Sequence, residues 1–169
     1  MTPKHLALVA KVPTAALPLL RKLRDSDEPR RLLVEKQQAR FAKLGLTLTV
    51  GSGIDKTFIA FGDGYVVKIG HGTTREAKLS ADGKRRCLAL TAMLDDGIAV
   101  QERADTVIGN TEIFKQHVYE EARAQLAPIY KRQWSRIEQV CRVLGINDTH
   151  AWNIGVFANG RLKIIDFAY

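Results

Sequence analysis

The chain has 169 residues, and 46% of them are hydrophobic, which is enough for one domain with a packed core. Its two cysteines, Cys87 and Cys141, are far apart and form no CxxC pair. This argues against a disulfide framework or a zinc site and for a reduced, cytoplasmic setting. The first apolar run, residues 6–10, is only five residues long, so we expect neither a signal peptide nor a membrane span.

Positive charge is concentrated at the start of the chain. Residues 1–50 hold ten Lys and Arg against four Asp and Glu, within a net charge of +8. A basic segment can bind nucleic acid, an acidic protein or an anionic surface, although a solvated helix face is the simpler interpretation. No aromatic residues alternate with these charges, so nucleic-acid binding by base stacking has little support.

The first 45 residues predict a basic helical segment. Leucines recur at near-helical spacing over residues 14–45, and residues 25–29 (Asp-Ser-Asp-Glu-Pro) interrupt them. We therefore expect two short helices or one broken helix, with the interruption capping the second.

Residues 46–70 have the character of strands. The runs 46–50, 57–61 and 65–69 are rich in β-branched and aromatic residues, and Gly62-Asp-Gly64 joins the last two runs. They predict three consecutive antiparallel strands.

The middle of the chain is mainly helical by pattern. We expect a helix over residues 73–94, weakened by Gly83, and then short strands at 98–100 and 106–108. Residues 111–144 predict a long helix that Pro128 kinks and Gly145 ends.

The C-terminal residues hold the strongest chemical signal. Asp148-Thr-His150-Ala-Trp-Asn153 precedes a predicted hairpin over residues 154–165 with a type I′ turn at Asn159-Gly160, and Asp166-Phe-Ala follows. Because a hairpin returns the chain on itself, Asp166 can lie near Asn153. Carboxylate and amide oxygens suit magnesium bound with phosphates, whereas ordinary turn capping is the alternative interpretation.

This pattern resembles the protein kinase-like superfamily, in which an Asp, an Asn five residues later and a DFG-type Asp surround the reaction. The Asp-x-His-x-x-Asn form is most similar to aminoglycoside and choline phosphotransferases, and to compact early protein kinases of some tailed phages. The resemblance implies ATP and Mg²⁺ as cofactors. It also implies that Asp148 orients or deprotonates the acceptor hydroxyl, that Asn153 and Asp166 hold the metal, and that His150 braces the loop.

The resemblance also implies a fold and a division of the chain. The fold is α+β and protein kinase-like: an antiparallel β-meander with a helix forms the N-lobe, and a minimal helical C-lobe carries the catalytic-loop hairpin. Residues 46–110 would form the N-lobe and residues 111–169 a truncated C-lobe.

Three further features of the N-lobe follow from this comparison. Lys68, in Tyr-Val-Val-Lys-Ile on the third strand, resembles the ATP-binding lysine, and a phosphate partner would give a strand lysine a reason to be buried. Glu76 would pair with Lys68, or simply favour the first turn of its helix. Gly51, Ser52 and Gly53 would let backbone N–H groups approach the phosphates, although they match the glycine-rich pattern only in part.

Other features depart from the family. Asn147 precedes Asp148, so the His-Arg of typical protein kinases is absent, and Ala168 replaces the DFG glycine. The sequence given stops at Tyr169 with no activation segment. We therefore expect a Ser/Thr protein kinase whose acceptor site is completed by a partner or by the basic helices. An inactive kinase-shaped module that docks a partner protein, and a small-molecule phosphotransferase, remain alternatives.

Overall fold

A computed structural model describes residues 1–50, 56–70, 72–81, 86–116, 119–147 and 151–167. The chain forms two compact units. The first comprises Met1–Gly83 and Leu90–Glu102, and the second comprises Lys84–Ala89 and Arg103–Tyr169. The expected α+β class, with an antiparallel sheet and helices, is confirmed. The proposed division at residues 45 and 110 stays a prediction.

The sheet of the first unit has five antiparallel strands. They are β1 (Thr47–Val50), β2 (Lys56–Gly62), β3 (Tyr65–Gly70), β4 (Thr91–Asp95) and β5 (Ile98–Glu102). Their order is β1-β2-β3-β5-β4, so β5 pairs with both β3 and β4. The three predicted consecutive strands are confirmed. Gly64, at φ 69°, permits the tight turn between β2 and β3.

Four helices accompany this sheet: α1 (Pro3–Val9), α2 (Ala16–Arg24), α3 (Arg30–Ala42) and α4 (Thr73–Ala81). The expected break between two helices is confirmed by α2 and α3. Pro29, the last residue of the interruption, occupies the cap position of α3, and no side chain there makes a capping hydrogen bond. Helix α1 was not predicted, because its short apolar run was considered only as a targeting signal.

The predicted helix over residues 73–94 was wrong in its second half. Helix α4 ends at Ala81, and Thr91–Asp95 forms strand β4. Its apolar residues fit a helical period, but Thr91, Ala92 and Met93 pair with β5, and this long-range pairing decides their conformation.

The core of the first unit lies where α2 and α3 meet the sheet. Its fully buried large side chains come from the helices, from β2, β3 and β5, and from the residue before β1, and include Leu20, Leu23, Leu33, Phe41, Leu46, Phe58, Ile69 and Ile98. The leucine spacing that predicted the helices therefore marks their buried faces.

The second unit is a long helix beside a small sheet. Helix α5 is Glu112–Gln116 and α6 is Tyr119–Leu144, while β6 (Thr106–Val107), β7 (Ile154–Phe157) and β8 (Arg161–Ile164) form a sheet in that order. The expected kink is confirmed: Tyr130, two residues after Pro128, has non-helical φ −115° and ψ 16°. Gly145, at φ 62°, follows the end of α6.

The hairpin between β7 and β8 is confirmed, but the expected two-residue turn was wrong. Phe157 pairs with Arg161, and the three residues Ala158–Gly160 between them form a single 3-10 turn. Gly160, at φ 66°, takes the left-handed conformation that a three-residue hairpin loop requires at its last position.

Both cysteines are buried, as expected of small hydrophobic residues. Burial raises the pKa of the Cys141 thiol to about 11. Among the described residues, no helix combines the length and apolarity needed to cross a membrane.

Candidate functional site

Lys68 lies in the middle of the first unit's sheet. It is on β3, between Ile59 of β2 and Ala99 of β5, and only 5% of the residue is exposed. Strand β3 is buried on both faces, since Tyr65 to Ile69 are all buried. A lysine here loses most of its hydration, so its ammonium group requires polar partners.

Glu76 supplies such a partner. It lies in the first turn of α4 with its side chain fully buried, and its Oε2 and Oε1 are 3.1 and 3.3 Å from Lys68 Nζ. The hydroxyl of Thr73 at the start of α4 donates to the carbonyl oxygen of Gly70 over 2.7 Å, which fixes the helix to the end of β3. Sequence analysis did not predict this hydrogen bond, because it gave Thr73 no role beyond the start of the helix.

The Lys68–Glu76 pair is poorly explained as a stabilising contact. Desolvation of two buried charges offsets much of their attraction, and apolar residues of similar volume usually stabilise a fold equally well or better. The pair instead holds an ammonium group in one orientation inside a protein sheet. That arrangement suits a lysine that must meet an anion at a fixed position.

In the second unit, the hairpin brings two predicted site residues to the same end. Ile154 pairs with Ile164, and one step further the N–H of Ile165 donates to the carbonyl oxygen of Asn153 over 2.8 Å. Asp166 follows Ile165 directly. Asn153 is buried and Asp166 is partly exposed, and the backbone pairing places both residues at the open end of the hairpin.

Five other candidate residues lie outside the described part of the chain: Gly51, Ser52, Gly53, Asp148 and His150. Their predicted roles, like those of Lys68, Glu76, Asn153 and Asp166, stay predictions. The described donors nevertheless fit a hard cation, because amide and carboxylate oxygens are the ligands that magnesium accepts.

Trp152 directly precedes Asn153, and sequence analysis predicted no role for it. It is 56% exposed, and its ring lies so close to Gly109 that a Cβ there would be 2.5 Å from Cδ2 of the indole. Gly109 thus provides the space for the ring. A glycine near an exposed tryptophan carries no sequence signal, because the two are 43 residues apart and meet only in the fold.

Comparison with known proteins gives structural neighbours alone. No family model matches the chain, and no curated protein matches it. The solved structures that resemble it include WbdD with the kinase inhibitor LY294002 (13% identity, TM-score 0.41), the choline kinase LicA from Streptococcus pneumoniae (16%, 0.40) and APH(2")-IIa with streptomycin and ATP (14%, 0.37).

The matches cover 69%, 82% and 80% of this chain, in the same order. The chain spans 31% of the length of the WbdD chain, 68% of LicA and 70% of APH(2")-IIa. At these identities and TM-scores the likeness carries no argument about activity, so the proposal below depends on the chain's own residues.

Proposed function

We propose that the chain is an ATP- and magnesium-dependent phosphotransferase that acts on a protein Ser or Thr hydroxyl. The observation that supports this most is the buried Lys68–Glu76 pair, with Nζ–Oε distances of 3.1 and 3.3 Å on β3 and α4. A charged pair at this position has a chemical reason if the lysine must face phosphate oxygens.

In this proposal Lys68 acts by positioning charge. Its ammonium group donates to phosphate oxygens of ATP, while Glu76 accepts from the same group and keeps it aimed. The pair is already formed in the described structure, so little reorganisation is needed when the phosphates arrive. Backbone N–H groups of Gly51, Ser52 and Gly53 would add donors for the same anion.

The hairpin residues have a different role in this proposal. Asn153 and Asp166 would supply oxygen ligands to magnesium, which neutralises the charge that develops on the transferred phosphoryl group. Asp148 would accept a hydrogen bond from the acceptor hydroxyl, orient it, and take its proton as the hydroxyl oxygen bonds to the γ-phosphorus. In the same step the bond between the γ-phosphorus and the bridging oxygen would break, and ADP would leave. The chain therefore contributes mainly orientation and electrostatic stabilisation.

The test is transfer of label from γ-labelled ATP with magnesium, using dephosphorylated casein as a protein acceptor and choline as a small alcohol. The informative variants are Asp148→Ala and Asp166→Ala. The matched control is Asp27→Ala, since Asp27 is exposed and lies among the N-terminal helices. We expect wild type and the control to label casein, and both site variants to lose at least about a hundredfold in rate.

Each other outcome has a defined meaning. Transfer to choline but not to casein would replace the protein acceptor with a small alcohol. Thermal stabilisation by ATP and magnesium without any transfer would favour the binding module over the enzyme. Equal activity in Asp166→Ala and wild type would contradict the proposed metal site.

A further inference from the structure

The second half of α6, after the kink at Tyr130, has two faces of opposite character. Trp134, Ile137 and Cys141 are buried at helical spacing. The Gln133 side chain also binds the hairpin, since it donates to the carbonyl oxygen of Gly160 over 3.1 Å and accepts from the N–H of Leu162 over 2.9 Å. This side of α6 therefore packs within its own unit and is not exposed to a partner.

The opposite face is exposed and basic. Arg132, Arg136, Gln139 and Val143 follow one another at intervals of four, three and four residues, so they form one stripe along the helix. Lys131, Ser135 and Arg142 flank this stripe. We call these seven residues the α6 basic face.

A shallow depression lies on the α6 basic face. Its volume is about 880 Å³, and it is lined by Lys131, Arg132, Ser135, Arg136 and Gln139. Val143, at the C-terminal end of the stripe, is 72% exposed. The face therefore offers cationic donors beside an unprotected apolar side chain.

The four cations of this face have no acidic partner among the described residues: Lys131, Arg132, Arg136 and Arg142. Arg132 and Arg136 are four residues apart, a spacing at which like charges destabilise a helix. The basic N-terminal segment differs, because four of its ten cations pair with carboxylates: Arg21 and Arg24 with Asp95, Arg31 with Glu35, and Lys36 with Glu28.

We infer that the α6 basic face is a docking surface for an acidic segment of another protein. Three of its four cations are arginines, whose planar guanidinium groups bind carboxylates through two parallel hydrogen bonds. Eleven residues separate Lys131 from Arg142, which is about 16 Å along a helix. That length accommodates a short acidic helix or an extended segment of about five residues.

The composition of the face favours a protein over nucleic acid. Arginine is enriched in protein interfaces, and an exposed valine beside the cations provides an apolar contact that a phosphate backbone does not use. Among the described residues of this face there is no aromatic side chain on which a base would stack. This docking surface does not depend on the proposed phosphotransfer.

The test uses a fluorescein-labelled peptide of glutamate residues with one central leucine, the same peptide with serine in place of leucine, and a 20-base-pair RNA duplex. The disrupting variant is Arg132→Glu/Arg142→Glu in the full chain. Its new carboxylate at position 132 would lie four residues before Arg136, an arrangement that favours the helix. The new carboxylate at position 142 would lie in the last turn of α6, four residues after Glu138, which disfavours the helix, so the variant is compared only where it is shown to be folded. Thermal unfolding measures this directly.

The matched control is Lys4→Glu/Arg30→Glu, which lowers the net charge by the same amount. Both residues are exposed and lie in the first turns of α1 and α3, where an acidic side chain is favourable. We expect the disrupting variant to bind the leucine peptide at least about tenfold more weakly than wild type, and the control to lose less than about threefold.

A second comparison tests the apolar contact. Val143→Ser should weaken binding of the leucine peptide but leave the serine peptide unchanged, because only the first has an apolar partner to lose. The inference is overturned if wild type binds neither peptide, if both double variants lose affinity equally, or if the RNA duplex binds more tightly than the peptides and depends on the same arginines.

Discussion

The buried ion pair of Lys68 and Glu76 is the residue-scale feature on which the functional proposal depends. Removing one member of such a pair takes a close counter-ion from the other in a site that water reaches poorly, which is strongly destabilising. Replacing both members with apolar residues removes the charges together. Stability and function can therefore be separated at this site.

We predict that Glu76→Leu alone lowers the free energy of unfolding by about 3–5 kcal/mol, because the buried Lys68 ammonium group loses the two carboxylate oxygens at 3.1 and 3.3 Å. Lys68→Met/Glu76→Leu should recover most of this loss while still failing to bind ATP. Urea denaturation of the single and double variants gives the free energies, and ATP titration of the double variant gives the affinity. A double variant as unstable as the single one would contradict this explanation of the pair.

At the same scale, sequence analysis was sufficient to place Lys68 on its strand but not to decide whether Glu76 pairs with it. The alternation of residues 57–69 and the Gly62–Gly64 turn were sufficient to place Lys68 on the third strand. The contact with Glu76 depends on the direction in which α4 leaves β3, and the Thr73 hydroxyl helps to fix that direction. No local pattern encodes it, so two interpretations of Glu76 remained open.

At the scale of elements, α1 is joined to α4 by a buried polar chain. His5 Nδ1 is 2.6 Å from the Thr2 hydroxyl, and Nε2 is 3.5 Å from the Ser80 hydroxyl. The Ser80 hydroxyl in turn accepts from the N–H of Thr91 over 2.8 Å. Ser80 lies one turn after Glu76 on α4, so this chain helps to hold the helix that carries Glu76.

This contact predicts a dependence of stability on pH. Burial, and then the positive N-terminus, lower the pKa of His5 below 6.5. The folded state therefore binds a proton less readily than the unfolded state, and stability falls as pH drops below about 6.5. Thermal unfolding followed between about pH 7.5 and 5 should show a steeper loss for wild type than for His5→Gln. Parallel curves would show that His5 does not contribute.

The elements that sequence analysis failed to predict, β4 and α1, were missed for the same physical reason: distant contacts decide their structure. Thr91–Asp95 has apolar residues that suit a helix, yet pairing with β5 makes it a strand. Helix α1 has one turn of apolar residues and buries His5, which no hydrophobic pattern indicates. By contrast, α2, α3 and the β7–β8 hairpin were predicted because their apolar spacing and turn residues are local.

At the scale of the whole molecule, each of the two units contributes a different part of the proposed chemistry. The first unit holds a buried lysine paired with Glu76, and the second holds an amide and a carboxylate at the end of a hairpin. The sequence predicted both groups, because a hairpin and a three-stranded meander leave clear local signals. It did not predict the α6 basic face, since helical positions 131–143 become a surface only when the other side of α6 is packed.

The central claim is that Lys68 receives the phosphates of ATP, and calorimetric titration with ATP and magnesium tests it most directly. The variants are Lys68→Met and, as a control for loss of a lysine charge, Lys78→Met, since Lys78 is exposed on the same helix as Glu76. Because Lys68→Met removes one member of the buried pair, both variants are titrated at a temperature at which thermal unfolding shows them to be folded. We predict that wild type and Lys78→Met bind ATP with equal affinity. Lys68→Met should bind ATP about 10- to 100-fold more weakly, because a charge-assisted hydrogen bond is lost. Equal affinity in Lys68→Met and wild type, or no binding by wild type, would contradict the account.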